Sequence, residues 1–411
     1  MAPLKTIEIR RNMAMVLFGV AVPNVTTYLD FQDLGVDRDK FSGGRLLLGD
    51  RAKLRTEGGM GQDDYQEAIA RGLSEALGRA DKLDWDLDET RLVVFSDLHR
   101  GQRNHADDFR HCEKTYARAM EYYFEAGYRL VVLGDSEELW ESWPKKVVKA
   151  YKGSLGLEAR FQKENDNRYI KVWGNHDDLW QYPRQVVKHL SSTFGSLAIP
   201  EGLDVTFNQG GEKIGRIFFV HGHQGTPGSD KWGKYSRHFV RWVWRPVQRV
   251  FKISLTTPAT SWEIRGKHDR ALYAWAAAKN DLVLIAGHTH NPVFVSKPHV
   301  ETLERLEGRL ADSAIESMSP KHTEQMKHIQ EEIEWAKAES TEGPLEVADE
   351  ERDCLCYFNA GCCSFFNGDV TGIEIAEGEI RLVRWATDLG DPADRVLEAE
   401  DLGGVFVGLR A

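Results

Sequence analysis

Arg91-Leu-Val-Val-Phe-Ser-Asp-Leu-His99 is the stretch on which the reading of this chain turns. Leu92, Val93, Val94 and Phe95 make a short unbroken apolar run, the pattern of a strand buried on both faces. Asp97 and His99 follow at once. Spaced by one residue, they put a carboxylate and an imidazole on one side of an extended backbone. The same grammar, an apolar strand running into polar residues able to bind a metal, recurs four more times. Residues 130–133 run into Gly134-Asp135, 169–173 into Gly174-Asn175-His176-Asp177, 216–220 into His221-Gly222-His223, and 282–286 into Gly287-His288-Thr289-His290.

In open α/β sheets, sites form beyond the carboxyl ends of the strands. The five ends here would deliver Asp97, His99, Asp135, Asn175, His176, His221, His288 and His290 to one edge. Carboxylate, amide and imidazole together suit Mn²⁺, Fe or Zn²⁺ better than Ca²⁺ or Mg²⁺. The ligands suffice for two ions if one carboxylate is shared. Each block alone is weak, since Asp-x-His commonly caps a turn and Gly-Asp is itself a turn. The ordered set carries the weight, because polar groups buried at five unrelated strand ends would be costly.

Between the strands the pattern predicts helices. One runs from about 107 to 126, with Asn104 as its cap and Gly127 as its stop. Others cover about 145–163 and 178–192, and an earlier one spans 63–77. Strands resume at 204–208, 355–359, 370–375 and 379–385, with Glu377-Gly378 as the turn between the last two. The tail after 386 is acidic and carries no signal of its own.

The ordered blocks resemble the calcineurin-like metallophosphoesterase superfamily. That family's pattern is Asp-x-His, Gly-Asp-x-x-Asp/Glu, Gly-Asn-His-Asp/Glu, a later His, then Gly-His-x-His. The resemblance spans about residues 91–385, including Tyr357-Phe358-Asn359-Ala360-Gly361, and excludes 1–85, 301–340 and the tail. It implies an α/β fold: an α+β four-layer sandwich of two mixed β-sheets flanked by helices, with a helical cap insertion and a helical hairpin insertion. The implied domains are an N-terminal extension packing on the core (1–88), a metallophosphoesterase domain (89–390, with the cap at 226–280 and the hairpin at 300–343), and a C-terminal tail (391–411). The resemblance further implies that Asp97, His99 and His290 bind a first metal. Asp135 would bridge, and Asn175, His221 and His288 would complete the second site. His176 is similar to the family histidine that faces the substrate phosphate, and Glu138, ending Gly-Asp-x-x-Glu, would orient it. Two divalent ions are implied, Mn²⁺ first, with Fe or Zn²⁺ as alternatives. Such a pair can share a hydroxide and clamp both ends of an in-line phosphoryl displacement. His223 is extra to the pattern, and its role stays open.

Composition sets outer bounds. With 411 residues, 41% hydrophobic and 28% charged, this is a globular composition with material for a large core. A net charge of -11 argues against nucleic-acid binding over the whole surface, though not against a local basic patch. No apolar run reaches membrane-spanning length. Arg10-Arg11 ahead of the apolar residues 13–22 faintly resemble an export signal, but Pro23-Asn24 reads as a turn and favours an N-terminal strand. Five cysteines, an odd number, suit a reducing cytoplasm better than a disulfide framework. Cys354, Cys356, Cys362 and Cys363 are buried thiols or, less in keeping with common spacings, a zinc cluster.

The cap segment supplies the clue to substrate. Trp232, Tyr235, Phe239, Trp242, Trp244 and Phe251 interleave with basic residues, and Arg237, Arg241 and Arg245 recur at four-residue spacing on one helical face. That pattern suits either an anionic substrate with an apolar or ring-bearing part, or a lid whose basic face is simply solvated. The cap position and Trp140 are similar to the branch that hydrolyses UDP-2,3-diacylglucosamine. That branch has Asp where this chain has His223, and it lacks the hairpin. A phosphate ester linked to a nucleotide or lipid, a nucleic-acid end, contact with a membrane surface and self-association all stay open as partners. The leading expectation is a dinuclear metal phosphohydrolase acting on a phosphodiester or pyrophosphate. The alternatives are a binding or scaffold protein of the same fold, working through the cap or hairpin, and a cap-based nucleic-acid binder.

Overall fold

The computed structural model describes residues 62–104, 107–165, 168–226, 262–294, 354–365, 368–386 and 395–409, with the short pairs 7–8, 45–46 and 297–298. Two units divide the chain at Gln62. In the first, β1 (Ile7–Glu8) pairs antiparallel with β2 (Arg45–Leu46). The rest of that unit, with the expected strand at 13–22, lies outside the described residues, as do 227–261 and the 301–340 hairpin.

The second unit is built on two mixed sheets flanked by helices. In the first sheet, β4 (Leu92–Phe95), β5 (Arg129–Leu133) and β6 (Tyr169–Val172) run parallel. On the other side of β4 lie β13 (Val370–Ala376), β14 (Glu379–Trp385) and β15 (Val396–Asp401), all antiparallel to their neighbours. The unbroken apolar runs follow from burial on both faces. Val93, Phe95, Leu130 and Val132 pack in one core with Tyr116, Met120, Tyr123, Leu155, Phe161 and Leu190. These partners come from α2 (Glu113–Glu125), α4 (Lys152–Glu164) and α5 (Pro183–Phe194). Alternation turns Leu92, Val94, Val131 and Leu133 to the opposite face, where they are equally buried.

The second sheet has β3 (Asp81–Asp86), β7 (Gly202–Gln209), β8 (Glu212–Val220), β9 (Val283–Ala286), β12 (Tyr357–Ala360), β10 (Pro292–Phe294) and β11 (Lys297–Pro298) in that spatial order. Within it β8, β9 and β12 are parallel. Parallel strands deliver their carboxyl ends together, so each sheet sends its polar turns to one edge. On this sheet α6 (Trp262–Ala277) and α1 (Gln62–Arg79) pack against each other, Trp275 Nε1 donating to Ser74 Oγ at 2.9 Å. No helix among the described residues is long and apolar enough to cross a membrane.

Several local expectations need correcting. The helix expected from 107 begins at Glu113, after a 3₁₀ turn at Phe109–His111, and Asn104 does not cap it. The stretch 145–163 is two helices, α3 (Pro144–Ala150) and α4, and the one from 178 is a 3₁₀ turn followed by α5. Pro144 and Pro183 take the first helical positions, where a missing N–H costs nothing. Strand β3 was not anticipated, because as an edge strand it buries only Trp85 fully, against Phe207. The tail is structured: β15 extends the first sheet, and α7 (Leu402–Gly408) lays Phe406 over Gly215 of β8, leaving no room for a Cβ there. The Glu377-Gly378 turn is as expected, with φ of 57° and 80°, the left-handed pair that a two-residue hairpin requires.

Behind the first sheet's polar turns sits a buried charge network. Arg100, Glu137, Glu158 and Lys171 are fully buried, two cations against two carboxylates. Lys171 Nζ donates to Glu137 Oε1 and Oε2 at 2.9 and 2.7 Å, and Trp180 Nε1 donates to Oε2 at 2.7 Å. Arg100 bridges Glu137 and Glu158, and Glu158 also accepts from the hydroxyls of Tyr116 and Tyr169. Removing one member strands an opposite charge in the interior. Lys171→Met should therefore lower unfolding free energy by about 3–5 kcal/mol in urea titrations; a loss under about 1 kcal/mol would show that the network is not balanced as described.

Candidate metal centre

The turns after the strands are strained in one specific way. Asp97, His99, Asp135, His288 and His290 have φ of 54°, 50°, 46°, 71° and 58°. This left-handed region disfavours a residue with a Cβ by about 1–3 kcal/mol each, and persists only where the surroundings over-determine it. Here the turns hold one another. Asp97 N, His99 N and Arg100 N donate to the carbonyls of Gly134, Asp135 and Ser136 at 3.3, 2.8 and 3.1 Å. Asp177 accepts from Gly174 N at 2.6 Å and Ser136 N at 2.9 Å, pinning the β6 turn to the β5 turn. The close approach needs Gly287, where a Cβ would lie 2.5 Å from Asp97 Oδ2.

Each central carboxylate divides its work. Asp97 Oδ2 accepts from Ser96 Oγ at 2.5 Å and from His288 N at 2.8 Å, tethering the two sheets' turns. Its Oδ1 lies 3.2 Å from His290 Nε2 and 3.8 Å from His99 Nε2. Asp135 Oδ1 accepts from His176 N at 2.8 Å. Its Oδ2 stands 3.1 Å from His221 Nε2 and 4.0 Å from His99 Nε2. The rings of His99 and His290 meet with their Nε2 atoms 3.1 Å apart. Ligand-type atoms of Asp97, His99 and His290 thus gather within 4.8 Å of one another, as do those of Asp135, His221 and His288.

The donor chemistry fits divalent cations. Asp97 Oδ1, Asn175 Oδ1, His221 Nε2 and His288 Nε2 are buried and make no hydrogen bond among the described residues. Buried polar atoms are rarely left so. His221 Nδ1 lies 2.7 Å from the Leu133 carbonyl, to which it donates, so its Nε2 carries the lone pair a metal takes.

Beside these clusters stands His176, whose ligand-type atom forms a third such group with those of His99 and Glu138. Its Nδ1 lies 2.5 Å from Glu138 Oε2, and its ring stacks on Trp140 at 4.2 Å between centroids and 19° between planes. Glu138 is itself fixed, Oε1 accepting from Trp140 N and Glu141 N at 3.0 and 3.1 Å.

The field at the centre is negative. Burial raises the Asp97 and Asp135 carboxyls, but the imidazoles around them reverse this and hold both below the ordinary range. In return the carboxylates outweigh burial at His221, pushed up to about 9, and raise His99 and His176. A divalent cation would meet the same demand for positive charge.

Residues 90–292 match the family model of the calcineurin-like phosphoesterases. They form a calcineurin-like phosphoesterase domain. No curated protein matches the chain. The calcineurin-like domain makes the protein a hydrolase acting on phosphate esters. The matched span stops at Pro292, so β3, the end of β10 and β11 to β15 complete its two sheets from outside the match.

Of the residues expected at the site, Asp97, His99, Asp135, Glu138, His176, His221, His288 and His290 come together at the joined strand ends, and Asn175, its Oδ1 buried, lies in the turn beside His176. Arg237, Arg241 and Arg245 lie outside the described residues. His223 is buried between the rings of Trp173 and His221 and belongs to none of the ligand-type clusters. Burial and His221 push it down to about 3. Those clusters include no cysteine among the described residues, and Cys356, Cys362 and Cys363 are buried thiols. The sequence reading passed over Ser96, Asp177, His268 and Asp269, which act through backbone and side-chain tethers. Asp177 closes the Gly-Asn-His-Asp block and Ser96 precedes Asp97, while no pattern marks His268 or Asp269.

The Glu138–His176 pair carries a pH signature. Burial raises the Glu138 carboxyl, but His176 and His99 bring it from the usual 4.5 to about 2. Glu138 therefore stabilises fully above pH 4.5 and less as pH falls toward 2, while raised His176 stabilises fully below 6.5 and less as pH climbs past its folded value. With divalent ions removed by chelator, Glu138→Gln should cost most between about pH 5 and 6.5, up to about 3 kcal/mol, and progressively less toward pH 2.5. Urea unfolding across that range checks it, and a gap independent of pH would contradict it.

Proposed function

We propose that the protein is a metal-dependent phosphohydrolase with a dinuclear centre, cleaving a phosphodiester or pyrophosphate bond. The observation that carries this reading is the pair of ligand-type clusters around Asp97 and Asp135, together with ligand-type atoms that are buried without a hydrogen bond among the described residues. Asp97, His99 and His290 would hold one divalent ion, and Asn175, His221 and His288 the other, with Asp135 between them. The mixed oxygen and nitrogen donors favour Mn²⁺, then Fe or Zn²⁺. Ions bound there would offset charge on the phosphate oxygens and make water more acidic.

The chain's own chemistry centres on His176. Glu138 holds Nδ1–H, which fixes the ring and leaves Nε2 to face the phosphate. Burial works against its charged form, but Glu138 and Asp135 favour it more strongly, so an imidazolium is available at neutral pH. From Nε2 it can donate to a phosphate oxygen or hand a proton to the departing alkoxide. Trp140, 41% exposed, backs the ring from one side and keeps it from turning away. Likeness to the UDP-2,3-diacylglucosamine branch rests on cap position and Trp140. The role of Arg237, Arg241 and Arg245 as contacts to an anionic substrate rests on sequence spacing.

Full-length protein stripped by chelator and reloaded with Mn²⁺ should hydrolyse bis-p-nitrophenyl phosphate. Asp135→Ala should abolish detectable turnover. His176→Asn should lower kcat by about 10²–10⁴-fold while the bound metal is retained. Turnover that needs no divalent ion, or that survives Asp135→Ala, would refute the proposal.

A further inference from the structure

His268 and Asp269, adjacent on α6, have no place in the ligand clusters or in the proton chemistry. Both are buried, and each is hydrogen-bonded to a ligand-bearing turn. His268 Nε2 lies 2.8 Å from the Gly222 carbonyl. A carbonyl only accepts, so Nε2 carries the proton and Nδ1 is bare. Nδ1 in turn accepts from Tyr65 OH at 2.8 Å, which connects the turn through α6 to α1. Gly222 sits next to His221.

Asp269 reaches the other turn. Its Oδ1 accepts from Thr289 Oγ1 at 3.0 Å, and Oδ2 from Asn291 Nδ2 at 3.3 Å. Thr289 lies between His288 and His290, the two left-handed residues of that turn. Tyr357 OH also donates to Oδ1, at 2.7 Å, while Asn359 Nδ2 donates to the Gly287 carbonyl at 2.8 Å. A turn with two strained residues holds its shape only against fixed anchors. Asp269 grips it on both sides of His290.

We infer that His268 and Asp269 are positioning residues: through Gly222, Thr289 and Asn291 they set the aim of His221, His288 and His290 together. The inference rests on the metal-centre reading and adds to it residues from a helix that supplies no ligand. One helical turn governs imidazoles from both clusters. Losing Asp269 should therefore weaken binding of both ions, whereas losing His268 weakens chiefly the one that His221 would hold.

The test uses full-length, chelator-stripped protein titrated with Co²⁺, followed by calorimetry and by the visible absorption of the bound ion. His268→Ala and Asp269→Ala should each reduce Co²⁺ affinity by about 10–100-fold, with an altered absorption band. His268→Gln, whose amide nitrogen can replace Nε2 as donor to Gly222, should recover most of the affinity. Tyr65→Phe, which leaves the Gly222 bond in place, should give a smaller loss, and serves with His268→Gln if the alanine variants do not fold. Wild-type affinity and spectrum in folded His268→Ala and Asp269→Ala would overturn the inference while leaving the metal centre standing. So would a His268→Gln variant no better than a folded alanine variant, or, where the alanine variants do not fold, a Tyr65→Phe variant with wild-type affinity and spectrum. If the wild-type chain binds no Co²⁺, the metal reading fails and this one fails with it.

Discussion

Two buried carboxylates, Asp97 and Asp135, set the terms that the surrounding structure meets. Neither is exposed by more than 1%. Negative charge so far from water is tolerated only with hydrogen bonds and nearby positive charge. The hydrogen bonds come from backbone: each aspartate gives one oxygen to an N–H of a neighbouring turn. Positive charge is what the imidazoles supply, or what a cation would. This split explains why the same two residues act as structural pins between turns and as the centre of the candidate site. An uncharged replacement would lose both functions at once.

The two-sheet architecture follows from that constraint. One sheet supplies both aspartates, His99, Asn175 and His176, and the other supplies His221, His288 and His290. The parallel order within β4-β5-β6 and within β8-β9-β12 is what brings all the turns to a common edge. Left-handed backbone at five of the turn residues is the geometric consequence of turning side chains back toward the opposite sheet directly after a strand ends. Beneath those turns, Arg100, Glu137, Glu158 and Lys171 stiffen the floor without adding net charge, since their two cations and two carboxylates cancel.

Legibility in the sequence tracked the range of the interactions involved. The central strands could be read because burial on both faces leaves an unbroken apolar run, and the candidate ligands because each follows such a run within a few residues. The edge strand β3 could not, since Asp81-Lys-Leu-Asp-Trp-Asp86 spends most of its side chains on solvent. The tail helix was hidden for a related reason: its apolar face is three residues, Leu402, Val405 and Phe406, too few to show a period. The charge network and the His268–Asp269 tethers join residues from 11 to 203 positions apart, a separation at which no local pattern marks a partner. Glu137 illustrates the limit well. It stands beside Glu138 inside a recognisable block, yet its partners, Lys171 and Trp180, can be known only from the fold.

The helix α6 changes how the inserted region is to be understood. On sequence, 226–280 reads as one cap over the site. Its last part is not a covering element: Ala271, Leu272, Trp275 and Ala276 are buried, and His268 and Asp269 are hydrogen-bonded to both turns of the second sheet. A rigid helix whose polar residues hold the ligand turns shares its position with those turns. Displacing it would break the bonds at Gly222, Thr289 and Asn291 and release the strain stored at His288 and His290. The basic, aromatic stretch before Trp262 is therefore joined covalently to an element hydrogen-bonded to the turns that carry the candidate ligands.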